Sequence, residues 1–119
     1  MNTAIINRLK QGSIRSVILF GDTDEFPPAP YVVVKPEPGV NNDKQNFRII
    51  AHFDPGESDM AEAYIFTEIP ALFPRKNWLE TTGGKKFRVM NNGDWYGPIA
   101  QNDDGTIAYE RILYVPKQI

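Results

Sequence analysis

Apolar positions in this chain follow two different periods. Between residues 3 and 11, Ala4, Ile5, Ile6 and Leu9 recur at helical spacing, with Ile5 above Leu9 on one face. Asn2 or Thr3 is placed to cap that helix and Gly12 to end it. At two to three turns it is too short to stand alone and must dock on something. Residues 16–20 then read as a buried strand, because Val17, Ile18, Leu19 and Phe20 are all large and apolar. The segment 21–30 is a loop, with Asp22, Asp24 and Glu25 exposed and Pro27, Pro28 and Pro30 fixing an extended path.

Residues 31–35 form a second predicted strand, closed by Pro36, Glu37, Pro38 and Gly39, and 41–46 a polar, exposed loop tip. The third strand alternates most cleanly: Phe47, Ile49, Ala51 and Phe53 point one way, and Arg48, Ile50 and His52 the other. After Asp54, Pro55 and Gly56 the period returns to three and four. Ala61, Tyr64, Ile65, Ile69 and Leu72 line one helical side with Glu68 among them. Ser58 or Asp59 is the expected cap, Asp59 with Glu62 suggesting a capping box. Pro70 should end or kink the helix near Ile69.

Residues 76–80 read as a further helical turn anchored by Trp78 and Leu79. Strands follow at 86–90, at 95–100 with Gly97 and Pro98 interrupting, and at 107–115, with turns at 91–94 and 101–106. The closing strand sets Tyr109, Leu113 and Val115 on one face and Ala108, Ile112 and Tyr114 on the other, so both faces need cover. The order α-β-β-β-α-β-β-β lacks the strict alternation of a parallel sheet. It defines a single α+β domain over 1–119, with one mixed, mainly antiparallel sheet and two helices packed against it.

Composition narrows the chemistry. The chain has 119 residues, one domain's worth, and no cysteine, which excludes disulfides, thiol catalysis and thiolate metal sites. Thirteen basic and fifteen acidic side chains leave a net charge of −2, without the positive excess that nucleic-acid binding draws on. No apolar run exceeds four residues, so no membrane span is expected, and the N-terminus has no signal-peptide pattern.

Candidate catalytic groups are sparse. His52 is the only histidine; with Asp54, Glu57 and Asp59 it could form a metal cluster, but carboxylates at a strand-to-helix junction are expected as caps. Residues 21–25 alternate carboxylates like a calcium loop yet lack its central glycine and closing glutamate. Ser13, Ser16 and Ser58 sit in no nucleophile motif, and the run from Gly83 to Lys86 is no phosphate loop. The reading is therefore no enzyme, no cofactor and no metal. An enzyme would instead show a deep pocket holding His52 and two carboxylates. Phe, Tyr and Trp make up 12% of the chain and several fall beside turns, where interfaces find their anchors. The interface candidates are Phe26, Tyr31, Trp78, Trp95, Tyr96, Tyr109 and Tyr114. An accessory domain that binds a ligand or peptide through Trp78, Trp95 and Tyr96 is the alternative use of such residues.

With the helix over 3–11, the strand Val17 to Phe20, the passage from Phe26 and Pro27 into Tyr31-Val32-Val33-Val34, and the closing run 106–116, the chain resembles the tail terminator (tail completion) proteins of tailed bacteriophages. The resemblance implies a ring of identical subunits, commonly a hexamer, that caps the tail tube and faces the head connector. It implies no catalytic residues. Tail-tube and head-connector proteins would be its partners, or those of a related neck protein, and it would pass from the bacterial cytoplasm into the virion.

Overall fold

The computed structural model describes residues 1–38, 44–81, 83–91, 95–99 and 105–116. A first helix, α1 (Asn2–Leu9), buries Ile5 and Leu9 as its spacing demands. Neither Asn2 nor Thr3 caps it. Met1 is the N-cap, and its carbonyl accepts from the Ile5 amide at 3.1 Å. Gly12 follows the helix for a reason of space: a Cβ there would lie 2.9 Å from a Glu68 carboxylate oxygen. That oxygen accepts from the Ser13 amide and hydroxyl at 3.1 and 2.8 Å, which explains the one polar residue on the apolar side of the second helix.

Seven strands form one sheet: β1 (Val17–Leu19), β2 (Tyr31–Pro38), β3 (Lys44–Phe53), β4 (Lys76–Glu80), β5 (Lys86–Met90), β6 (Trp95–Ile99) and β7 (Ile107–Pro116). They run β1-β2-β3-β7-β5-β4, with β6 also paired to β7. Only the β1–β2 pair is parallel, so the sheet is mixed and mainly antiparallel, and the α+β class and element order expected from the sequence hold. The sheet curls about α1, which touches β1 and β2 on one side and β4 on the other.

Four strands differ from their sequence reading. Residues 76–80 are a strand, not a helical turn: Leu79 is buried and Trp78 exposed, a period of two imposed by pairing with β5. β1 is an edge strand, not one buried on both faces. Only Val17 is buried, and Phe20 is 59% exposed. β2 continues through Pro36 and Pro38. The Val32 amide donates to Ser16 and the Val34 carbonyl accepts from Phe20, so even-numbered residues of β2 face β1. Because β1 ends at Leu19, those two prolines face an open edge, where a missing amide costs no ladder bond. β3 likewise begins at Lys44, taking 44–46 out of the expected loop; 41–43 lie outside the described residues, as do most of the turns at 91–94 and 101–106.

The second helical segment joins α2 (Ser58–Ala63), a π turn (Tyr64–Glu68) and α3 (Ile69–Leu72). Glu57 is its N-cap and no side chain caps it, contrary to the expected role of Ser58 or Asp59. Pro70 does not stop the helix; the irregularity lies one turn before it. In the π turn the Ile69 amide reaches back to the Tyr64 carbonyl, and Pro70 has no amide to offer, so the Ile65 carbonyl loses both helical donors. Arg111 of β7 fills the gap, its guanidinium donating to the Ile65 oxygen at 3.0 Å. Asn91 accepts from Arg111 at 3.1 Å and donates to the Phe73 carbonyl at 3.1 Å. This buried network pins the helix end to the centre of the sheet. Ala61, Tyr64, Ile65 and Ile69 then pack with Val32, Val34, Phe47, Ile49, Ala51, Tyr109 and Leu113 in one core.

Candidate functional site

The sheet face turned away from the helices carries the molecule's unused surface. A register row crosses it from Ile18 to Val33, Ile50 and Glu110, with Tyr96 opposite Glu110 on β6. Because β1 and β2 are parallel neighbours, the chain between them must return across the sheet. That return brings Phe26 onto this face, where it stacks on Tyr31 at 5.4 Å, and Tyr31 stacks on His52 at 4.5 Å. Between this stack and Phe20 lies a groove of about 480 Å³, lined by Ile18, Val33, Ile50 and Ala108 with Asp24, His52 and Glu110.

Two of the groove's polar groups, His52 and Glu110, are engaged. His52 Nδ1 lies 3.0 Å from the Thr106 hydroxyl, and Glu110 accepts from Arg48 at 2.6 Å. Arg48 also grips Glu37 with two bonds of 3.2 Å. Bonding to Glu37 and then Glu110 raises the guanidinium pKa, and Arg48 in turn holds the Glu37 carboxyl below its ordinary value. The histidine and two carboxylates named as the mark of an enzyme are thus present, in an open apolar groove and not a deep pocket. Among the described residues no three histidine, aspartate or glutamate side chains gather as a metal set. Asp54 and Asp59 stand exposed at the turn and helix start, while His52 turns to the outer face.

The seven aromatic candidates separate by depth. Tyr31, covered on the outer face by Phe26 and His52, and Tyr109, in the core, are 2% and 1% exposed, so burial removes both as surface contacts. Tyr109 is held there by Gly97, where a Cβ would come within 2.7 Å of its ring. Tyr114 is half-buried under Lys44, whose ammonium sits 4.1 Å from the ring centre. Phe26, Trp78, Trp95 and Tyr96 are exposed. Trp95 meets Phe66 edge-on at 4.5 Å on the helical side, while its neighbour Tyr96 turns to the outer face. Trp78, Trp95 and Tyr96 therefore do not converge on one binding site.

A second surface lies on the β4–β5 hairpin, where Trp78 pairs across strands with Arg88 and Glu80 with Lys86, all four exposed. The Arg88 guanidinium lies 5.9 Å from the Trp78 ring centre. Phe20, read from the sequence as part of a buried strand, is exposed beside the groove, and the Arg88 that lies by Trp78 was not singled out.

No family model matches this chain, and no curated protein does. A solved structure of a hypothetical protein shares the fold, with a TM-score of 0.60 and 18% identity over 99% of this chain and 94% of that one. No described helix is long and apolar enough to cross a membrane.

Proposed function

We propose that this is a non-catalytic structural assembly protein that works through contacts with copies of itself, as a phage tail terminator ring does. The reading is supported above all by large aromatics exposed on separate parts of one small subunit: Phe20 and Phe26 beside the groove, Trp78 on the hairpin, and Phe66 with Trp95 between helix and β6. Exposed aromatics are the residues that subunit interfaces favour as anchors, and a ring subunit needs two such contacts, one for each neighbour. In this proposal the ring, a hexamer by resemblance, contacts tail-tube and head-connector proteins and ends in the virion.

Light scattering coupled to size exclusion, over a wide concentration range and with and without a tail-tube protein, tests it. The expected mass is several times the 13.5 kDa of one chain. A monomer under every condition, with no partner bound, would remove the proposal. A second reading, ligand or peptide binding, is favoured by the apolar groove beside His52. A change in the His52 ring resonances on adding an apolar peptide, reduced in Phe26→Ser, would select it.

A further inference from the structure

The groove and the hairpin belong to opposite ends of the sheet order, β1 and β4, and their charges are opposite. Beside the groove the loop after β1 exposes Asp22, Asp24 and Glu25 around Phe26. Lys35 lies over the Phe20 ring at 4.9 Å and is within 3.6 Å of Glu37. Among the described residues of the hairpin and its approach, the exposed charges are Arg75, Lys85, Lys86 and Arg88 with one carboxylate, Glu80; Arg88 and Lys86 share the face of a tryptophan that is 58% exposed. Among the described residues β5 pairs with β7 at Met90 and Tyr114, and the hairpin buries Leu79, Phe87 and Val89 in the core while its other face, with Trp78, stays exposed.

From this we infer that the hairpin of one copy docks into the groove of the next, with Trp78 entering between Phe20 and Phe26 and the flanking cations meeting the acidic loop. The inference rests on the self-assembly reading and gives it a direction. Contact between two unlike patches is heterologous, and repeated around an axis it closes a ring or, failing closure, extends a filament. Tryptophan and arginine are the residues that most often dominate such contacts, and opposed charge selects the right partner and register. Like patches would repel: acidic loop against acidic loop, or hairpin against hairpin, sets equal charges face to face.

Two charge-reversed chains test it, one carrying Lys86→Glu with Arg88→Glu and one carrying Asp22→Lys with Asp24→Lys, each checked for native circular dichroism and measured by light scattering. Each variant alone should fall to monomer mass, and an equimolar mixture should recover the assembled mass, because an alternating ring matches charges at every junction. Trp78→Ala should also dissociate, and the wild type should weaken at about 1 M salt, where screening acts over about 3 Å. If the wild type assembles and the folded variants assemble equally well, or their mixture stays monomeric, this docking is wrong while self-assembly stands. If the wild type never assembles, both readings fall together.

Discussion

The two faces of β2, β3 and β7 are made from alternate residues of the same three strands, yet they are completed in different ways. On one face Val32, Val34, Phe47, Ile49, Ala51 and Leu113 are sealed by the chain's own helices. On the other, Glu37, Arg48 and Glu110 spread an ion-paired network beside an apolar groove that the loop aromatics only partly shelter. The closing strand is apolar on both sides, but only one is finished with a helix; on the other, Ala108 and Ile112 are buried without one. Substitutions on the helix face should therefore act on stability, and those on the outer face on association.

Tyr109→Glu gives the largest expected effect. A carboxylate in place of this buried ring should leave no cooperative unfolding transition by circular dichroism, whereas Tyr96→Glu on the outer face should keep one. Ile69→Ala empties a fully buried site and should cost about 2–5 kcal/mol in denaturant melts, as should Ile65→Ala. Arg111→Met removes the donor to the Ile65 carbonyl and the partner of Asn91, and should cost about 1–3 kcal/mol in the same measurement. An unchanged midpoint would show that the π turn is satisfied without β7.

The ion-pair network has a smaller, pH-dependent effect. Because Arg48 depresses the Glu37 pKa, the pair contributes above the unfolded value near 4.5, and its contribution is lost as pH falls through the lower folded value. Arg48→Met should remove about 1 kcal/mol at neutral pH and flatten the loss of stability on acidification. Smallest of all, Trp78→Ala should change monomer stability by no more than about 0.5 kcal/mol. A larger loss would make that indole part of the fold and not of a contact.

Sequence patterning was most legible where one face of an element meets the core. The alternation of 47–53 and 107–115 and the helical stripe from Ala61 to Leu72 were readable because burial against the helices, or against the sheet, imposes the period. Five residues, 76–80, are too few to establish a period, and pairing with β5 decided their state. The cap positions were each misplaced by at least one residue: the helices start from Met1 and Glu57, and no side chain caps either, so Asn2, Thr3, Ser58 and Asp59 lie inside the first turns. Aromatic depth was not legible at all. Tyr109 and Tyr96 both lie near turns, and only the sheet's stacking against helices separates an interior ring from an exposed one. The groove was hidden for a related reason: its acidic loop is plain in the sequence, but its position over Val33 and Ile50 follows from the parallel pairing of β1 with β2, a long-range choice.

The strand at the centre of the sheet, β7, is also the last of the seven to be synthesised. While a ribosome makes the chain from its N-terminus, β2 and β3 emerge with β3's apolar residues facing a neighbour more than fifty positions away, from Phe53 to Ile107 at the nearest pair. The second helix emerges with its Ile65 carbonyl waiting for Arg111, 46 residues on. Contacts of such separation form slowly, since a long loop must close before they are rewarded. The nascent chain therefore carries an unfinished sheet until β7 arrives, and then a single insertion between β3 and β5 completes the ladder, the helix end and the core together. Closing of the sheet, the helix end and the core becomes one event, timed by the arrival of β7.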